Sequence, residues 1–164
     1  MRWNGLDLDQ GTATIRESLA EPRSGLTFKE PKNGKVRTIT IDQEIVSILR
    51  AHRATQAKER LFLGPEYRDR DLVFALPNGD PVGPWNFGVA FTDLAARAEV
   101  TPVTLHALRR THASLLLAAG VPIEVVSRRL GHSSIGITVD RYVTVYTGRD
   151  ADAARAFERL LKAG

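Results

Sequence analysis

A histidine and an arginine in the segment TLHALRRTH, residues 104–112, have the types and spacing to act on an anionic substrate. His106 and Arg109 are three residues apart, so they share one face of a helix, and Arg110 lies close to that face. A guanidinium and an imidazole near a helix N terminus suit an anionic oxygen, because paired N–H donors and the helix dipole both favour negative charge. For a lone pattern of this kind, however, an ordinary surface His–Arg pair is the better explanation.

The segment LGHSSIGITVDRY, residues 130–142, adds a histidine after a glycine and a tyrosine ten positions later. In one continuous helix, the side chains of His132 and Tyr142 would point roughly 280° apart. They converge only through a bend, which the turn at Gly131 and the glycine at 136 permit. Turn residues between rigid helices often carry function. Alone, His132 is equally well a helix cap, and Tyr142 equally well a half-buried core residue.

Metal binding is the alternative use of the histidines. His106 and His112 are six residues apart, roughly 600° of helical rotation, which separates their side chains. Zinc proteases instead use a spacing of four with a glutamate between the histidines. The sequence contains no cysteine, which excludes disulfides and thiolate metal sites. The pattern therefore gives little support to a metal site.

The charge distribution indicates an anionic partner. The 164-residue chain has a formal net charge of +4, and two segments carry most of the excess. Residues 16–37 hold six Lys/Arg against three Asp/Glu, and residues 103–132 hold four Lys/Arg against one Glu, whereas residues 61–100 hold three against six. Two basic segments folded onto one face would bind nucleic acid, although solvated surface charges are the simpler explanation. The sequence has no membrane-length apolar run and no signal peptide, so we predict no membrane association. The absence of cysteine makes a cytoplasmic setting the default expectation.

The sequence predicts an α+β fold, mainly helical, with a small antiparallel sheet of three strands near the N terminus. Extended segments are predicted at LDLD, ATIRESL, LTFKEP and VRTITI. Asn33-Gly34 is a strong hairpin signal between the last two. The length suits one domain with its own core.

Helices are predicted over most of the remaining chain. The first is expected from a cap at Asp42 to about Arg60 with Ile45, Ile48 and Leu49 inward, and the second from Trp85 to Ala98 with Phe87, Phe91, Leu94 and Ala95 inward. The third is expected from a cap at Thr104 to Ala119 with Leu105, Leu108, Leu115 and Leu116 inward, followed by two short helices, one from Pro122 to Gly131 and one from Ser133 or Ser134 onward. The last is expected from Asp150 to Ala163 with Ala153, Phe157, Leu160 and Leu161 inward.

Taken together, the segments resemble a known family. LHALRRTHASLLLAAGVPIEVVSRRLGHSSIGITVDRYVTV is similar to the C-terminal half of the catalytic domain of tyrosine recombinases, the phage integrase family. That family has a histidine, two residues and an arginine, then LGH, then a nucleophilic tyrosine nine or ten residues on. FKEPKNGKVRTITID resembles the family's β-hairpin with a catalytic lysine, and MRWNGLDLDQGTATI resembles the preceding strand. The resemblance covers essentially the whole chain.

The resemblance implies site-specific DNA recombination or integration, in which a tyrosine cleaves a strand and forms a 3′-phosphotyrosine. It makes Tyr142 the nucleophile and Arg109 the ligand of the non-bridging oxygens, with His106 and His132 as hydrogen-bond donors or proton shuttles. It makes Lys32 the general acid, with Lys35 as its rival. It implies DNA contacts from the surrounding basic residues, Lys35, Arg37, Arg110, Arg128 and Arg129. It implies no metal and no other cofactor. Double-stranded DNA is the expected partner, with copies of the chain assembled on it as in the family's tetrameric synapse.

The family pattern also contains a first catalytic arginine in a G-x-R-x-x-E-like helix and an N-terminal DNA-clamping domain, both upstream of the segment matched by Met1. We therefore expect residues 1–164 to correspond to the catalytic domain without these parts, with impaired activity. A late start codon, a decaying mobile element or a shortened binding protein would each explain this. The alternative function is a non-catalytic DNA-binding or partner-docking protein, because SLLLAAGVPIEVVSRRLGHSS also resembles a helix-turn-helix.

Overall fold

The computed structural model describes residues 1–22, 25–31, 34–101 and 103–142, together with 154, 155, 157–159 and 162 in the C-terminal segment. The chain divides into two compact units, Met1–Ala107 and Leu108–Gly164. Most of the helix predicted from Asp150 to Ala163 lies outside the described residues. None of the described helices is both long enough and apolar enough to cross a bilayer.

The first unit contains two small antiparallel sheets. Their strands, in chain order, are β1 (Leu6–Asp7), β2 (Thr12–Ile15), β3 (Ser18–Ala20), β4 (Thr27–Lys29) and β5 (Arg37–Thr40). The order β1-β2-β5 forms the predicted three-stranded sheet, and β3-β4 forms a second sheet. The strands on either side of Asn33-Gly34 thus pair with β3 and β2 rather than with each other, which differs from the predicted hairpin. The stretch 12–20 offers each of them a partner, so the turn signal did not decide the pairing.

Helix α1 (Gln43–Leu63) follows the sheet and begins as predicted. The Asp42 Oδ1 atom accepts a hydrogen bond from the Ile45 backbone N–H at 2.9 Å, so Asp42 is the N-cap. Two of the three predicted inward positions are wrong, because Ile45 and Ile48 are exposed, whereas Leu49 is half-buried. The fully buried residues of α1 are Val46 and Gln56. The pattern of apolar residues could not predict this buried side of α1, because Gln56 is polar. Its amide satisfies buried partners, accepting from Trp3 Nε1 at 2.7 Å and donating to the Leu72 carbonyl at 3.1 Å.

Helix α2 (Pro84–Arg97) starts within one residue of the predicted position, with proline in its first turn. None of its side chains, all within the described residues, is fully buried. Phe91 and Ala95 are half-buried, but Phe87 and Leu94 are 44% and 63% exposed, so their predicted inward positions are wrong. The periodic pattern identified the helix correctly, but it did not determine how completely its apolar side is covered.

Helix α3 (Leu105–Ala118) begins in the first unit and continues into the second. The Thr104 hydroxyl oxygen accepts from the Ala107 N–H at 3.1 Å, which confirms the predicted cap. Gly120, with φ +84°, ends the helix as predicted. The predicted leucine stripe is mostly wrong. The fully buried positions are Ala113 and Leu117, Leu116 is partly buried, and three of the leucines are exposed: Leu105, Leu108 and Leu115.

Two short helices complete the second unit. They are α4 (Ile123–Leu130), preceded by Pro122 as predicted, and α5 (Ile135–Tyr142), which starts just after the predicted serines. A buried cluster holds α3, α4 and α5 together, formed by Ala113, Leu117, Val126, Leu130 and Tyr142. This cluster fixes the positions of the three helices that carry most of the predicted catalytic residues.

The two glycines of residues 130–142 provide a matched test of this local structure. Gly131 has φ +71°, a left-handed conformation, so Gly131→Ala should lower the free energy of unfolding by about 1–2 kcal/mol. Gly136 lies inside α5, where an added Cβ would meet only the Ser134 hydroxyl at 3.6 Å. Gly136→Ala should therefore raise the free energy of unfolding by about 0.5–1 kcal/mol. Urea denaturation of both variants measures the difference. Equal effects would contradict the assigned turn.

Candidate active site

Arg109 ties α3 to the end of α4. Its Nη2 atom donates a hydrogen bond to the backbone carbonyl of Leu130, the last residue of α4. The last carbonyls of a helix have no partner within the helix and carry its partial negative charge, so a guanidinium is well suited to this position. Arg109 is half-buried, and the bond places its positive charge two residues before His132.

His132 is held by backbone and side-chain contacts. The Gly131 N–H donates to the Arg128 carbonyl at 3.0 Å, and the His132 N–H donates to the Ser127 carbonyl at 3.1 Å. This pair of bonds around a left-handed glycine is the Schellman motif that ends many helices. The His132 Nδ1 atom lies 2.6 Å from the hydroxyl of Thr138, which is fully buried in α5. The turn therefore fixes the main chain of His132, and the contact with Thr138 fixes its imidazole ring.

Tyr142 is the last residue of α5 and only 4% exposed. It belongs to the same buried cluster as Leu130, whose carbonyl accepts from Arg109. The structure therefore brings Arg109, His132 and Tyr142 together in the second unit, around the junction of α4 and α5. The tyrosine is buried there rather than presented to solvent.

His106 lies in the first turn of α3, at the spacing of three from Arg109 that the sequence predicted. It is exposed and, within the first unit, lines a cavity of about 470 Å³. The other lining residues come from α2 and the start of α3: Pro84, Trp85, Gly88, Val89, Phe91, Thr92, Asp93, Thr104 and Leu105. His106 thus adjoins an open, largely apolar recess in its own unit.

The predicted hairpin lysine, Lys32, lies outside the described residues. Its rival Lys35 is exposed in the segment before β5. Arg37 is the first residue of β5, where it pairs with Ile15 of β2, and it is half-buried.

The remaining predicted DNA contacts lie on α3 and α4. Arg110 and Arg128 are exposed, whereas Arg129 is half-buried and donates from Nε to His112 Nε2 at 3.1 Å. Two residues at these helices were not predicted as functional from the sequence: His112, which was weighed only as a metal ligand, and Thr138. For Thr138, the available signal was its position four residues before Tyr142, which places both side chains on one face of the helix.

Comparison with known proteins identifies the family. The model of the phage integrase family matches residues 1–149. The chain belongs to the phage integrase family. The match includes His106, Arg109, His132 and Tyr142, so the resemblance recognised in the sequence is confirmed.

Curated relatives of this integrase-family chain include recombinases and integrases. A tyrosine recombinase XerC-like protein of Caldanaerobacter subterraneus subsp. tengcongensis is 26% identical over 173 residues, which cover 98% of this chain and 44% of the relative. An integrase of Saccharopolyspora erythraea is 32% identical over 118 residues, covering 72% of this chain and 27% of the relative. The chain thus spans less than half the length of these relatives.

Solved structures confirm the integrase fold. The Tn1549 transposon integrase in complex with transposon right end DNA superposes with a TM-score of 0.75 at 24% identity, over 98% of this chain and 52% of that protein. The XerA recombinase superposes with a TM-score of 0.67 at 19% identity, over 97% of this chain and 50% of that one. The predicted α+β fold, mainly helical with a small N-terminal sheet, is therefore confirmed.

The site of this phage integrase family member offers cationic and hydrogen-bonding groups. Arg109 can hold an anionic oxygen, His132 can donate or transfer a proton, and the phenol of Tyr142 can attack phosphorus once it is exposed. Among the described residues, no group of three or more His, Asp or Glu side chains is arranged to hold a metal ion.

Proposed function

We propose that residues 1–164 form the catalytic domain of a tyrosine-type site-specific recombinase or integrase, which cleaves and rejoins double-stranded DNA. The observation that carries this proposal is the family match over residues 1–149, which contains His106, Arg109, His132 and Tyr142 in the family's order. The convergence of Arg109, His132 and Tyr142 around the α4–α5 junction supports it further, because phosphoryl transfer needs an anion ligand, a proton donor and a nucleophile in one place.

In the proposed reaction, the Tyr142 oxygen attacks a backbone phosphorus and forms a 3′-phosphotyrosine while the bond to the 5′-oxygen breaks. Arg109 stabilises the charge that builds on the non-bridging oxygens, and His106 and His132 donate to these oxygens or accept the phenol proton. Lys32 protonates the leaving 5′-oxygen, and Lys35 is the alternative general acid. The covalent intermediate conserves the bond energy, so a 5′-hydroxyl can reverse the step and rejoin a strand without a separate energy source.

The burial of Tyr142 implies a step before chemistry. Because the side chain is only 4% exposed, α5 must shift before the phenol can reach a phosphate. The contacts that resist this shift are those that Tyr142 makes within its buried cluster, which includes Val126 and Leu130 of α4. We propose that binding to DNA supplies the free energy for the shift, so the nucleophile is released only on the substrate.

The proposed DNA contacts are Lys35, Arg37, Arg110, Arg128 and Arg129, and the proposed setting is the cytoplasm, with copies of the protein assembled on DNA. The sequence's excess of basic residues around these positions supports phosphate binding.

A salt titration tests these contacts individually. Each phosphate contact contributes about −0.9 to the slope of log affinity against log salt concentration, so Arg128→Ala should make the slope less steep by about 1. Arg68→Ala is the control, since it removes the same charge from an exposed ion pair with Asp80 at 2.9 Å. Fluorescence anisotropy on duplex DNA between 50 and 200 mM salt, approximate bounds chosen for a large response, measures both slopes. Identical slopes for the two variants would remove Arg128 from the interface.

A non-catalytic DNA-binding or docking function is the second candidate. Two observations favour it: Tyr142 is buried, and the α3–α4 segment joins two helices through a turn at Gly120. In that case the same basic surface would bind DNA without cleavage.

One experiment separates the two candidates. The natural full-length protein that carries this sequence is incubated with a pool of nicked duplexes whose central sequence is randomised. A nick next to the cleavage site lets the 5′-hydroxyl fragment diffuse away, so a cleaved strand stays attached to protein. Recombinase function predicts a DNA-linked band on a denaturing gel. A shift on a native gel with no band on the denaturing gel would overturn the catalytic proposal in favour of the binder.

A further inference from the structure

The contact between His112 and Arg129 requires the imidazole of His112 to be neutral. An arginine Nε carries a hydrogen at every accessible pH, so it is the donor in its 3.1 Å contact with His112 Nε2. His112 Nε2 must therefore be unprotonated, with the ring neutral and its hydrogen on Nδ1. A protonated His112 has no acceptor to offer, and its charge would repel the guanidinium.

This contact lies beside the one made by Arg109. On α3, Arg109 and His112 are three residues apart and therefore on one face. On α4, their partners are the consecutive residues Leu130 and Arg129. Two hydrogen bonds of opposite direction, one donated by α3 and one accepted by it, thus join the same face of α3 to the last turn of α4. The Schellman turn that holds His132 follows immediately.

We propose that His112 is a positioning residue for strand cleavage: as a neutral acceptor for Arg129, it fixes the last turn of α4 against α3 and so sets the position of His132 relative to Arg109. The effect on strand cleavage rests on the proposed recombinase function, whereas the hydrogen bond between His112 and Arg129 does not depend on that function. In this role His112 acts through the placement of α4 and not on the reacting atoms.

The electrostatics around His112 favour its neutral form. Although much of the ring surface is exposed, its partial burial and then the nearby charge of Arg129 lower the pKa of His112 below its usual 6.5. The charged groups on the two helices involved are almost all cationic: Arg109 and Arg110 within the preceding turn of α3, and Arg128 and Arg129 on α4. The one acid of α4, Glu124, lies at the opposite end of that helix. Neutral His112 therefore persists at physiological pH.

The sign of the pH effect follows from this lowered pKa. Between the folded-state pKa and 6.5, the unfolded chain binds more protons at His112 than the folded chain does. The contribution of His112 to stability is therefore complete above pH 6.5 and is lost as the pH falls through the folded-state pKa. In thermal melts from pH 7.5 down to 5, the wild type should lose more stability than His112→Gln, whose amide does not titrate.

A first experiment reads the pair directly and does not depend on catalysis. In the ¹⁵N-labelled 164-residue chain, the Arg129 Nε–H signal is assigned by its disappearance in Arg129→Gln. It should be protected from exchange at pH 7.5 and lose that protection as the His112 ring protonates. His112→Gln, which retains an acceptor oxygen, should keep the protection across the whole range, and His112→Leu should lack it throughout. An Arg129 signal that is the same in all three proteins would overturn the proposal.

A second experiment tests the consequence for cleavage, using the natural full-length protein and the nicked DNA pool. At pH 7.5, His112→Leu should form the covalent adduct about 10- to 100-fold more slowly, the size expected for a catalytic group misplaced by about 1 Å. His112→Gln should restore most of the rate, and its rate should fall less than that of the wild type as the pH is lowered below 6.5.

The outcomes are distinguishable. If wild-type protein forms no adduct, the proposed function fails, and the exchange measurement alone decides whether the pair exists. If the wild type is active and both His112 variants match its rate and its pH profile, the positioning role is wrong. Loss of activity in both variants, with the fold intact by circular dichroism, would also contradict it, because a glutamine acceptor should rescue a positioning role.

Discussion

The Tyr142→Phe variant is expected to form no covalent adduct with nicked DNA while it still folds and still shifts DNA on a native gel. Removal of a nucleophile from a catalytic site that works as a unit costs on the order of 10⁶ in rate, which brings adduct formation below detection. The phenylalanine ring fills the same place in the buried cluster with Val126 and Leu130, so the free energy of unfolding should change by about 1 kcal/mol or less.

The matched control is Tyr146→Phe, because Tyr146 is the other tyrosine within the same short stretch of sequence. This variant should retain adduct formation. An adduct that survives Tyr142→Phe and disappears in Tyr146→Phe would contradict the assignment of the nucleophile, although not the proposed reaction type.

The second large effect is expected at Arg109. Arg109→Ala removes a charged donor from the transition state, and the loss of one such donor lowers catalytic rates by about 10²–10³-fold. The same change leaves the Leu130 carbonyl at the α4 terminus without its guanidinium partner, which should lower the free energy of unfolding by about 1–2 kcal/mol. Single-turnover adduct formation and urea denaturation measure the two effects.

Arg109→Lys separates charge from geometry. Lysine keeps the positive charge, but it cannot present two parallel N–H donors to a phosphate. We expect Arg109→Lys to regain most of the stability and little of the cleavage rate. If lysine restored full cleavage, Arg109 would act only as a diffuse positive charge. If Arg109→Ala lowered stability but left the cleavage rate unchanged, Arg109 would be a structural residue of the α3–α4 junction alone.

Much of the fold could be predicted from the sequence, because helix caps and turns are determined by residues only a few positions apart. Asp42 and Thr104 cap their helices through bonds to backbone N–H groups three positions on, and Gly131 takes the left-handed conformation that ends α4. The motif residues Arg109, His132 and Tyr142 were also identified from the sequence. Their convergence in one unit needed only that α3, α4 and α5 pack through their apolar sides.

The features that the sequence did not predict depend on contacts between distant segments. Gln56 is buried because Trp3 and the Leu72 carbonyl satisfy its amide, and no helical pattern contains that information. Strand β5 pairs with β2 instead of β4, although the turn at Asn33-Gly34 favoured the local partner. His112 gained a role only when α4 brought Arg129 to it, 17 positions along the chain.

Among the features that depend on contacts between distant segments, the burial of Tyr142 matters most for the proposed function. A tyrosine next to valine is ordinary in sequence, and its 4% exposure follows from the packing of α5 on α3 and α4. Under the proposed function, the contacts that stabilise the second unit also keep Tyr142 from the DNA, so we expect cleavage to begin only after α5 shifts.

Mass spectrometry of the trapped adduct identifies the residue that is covalently joined to DNA. After nuclease and trypsin digestion, cleavage at Arg141 and Arg149 releases the peptide YVTVYTGR, which contains both Tyr142 and Tyr146. Fragmentation of this peptide locates the nucleotide remnant on one of the two rings. We expect a 3′-linked nucleotide on the first residue, Tyr142. A nucleotide on Tyr146, on a serine or threonine, or on any residue outside this peptide would contradict it.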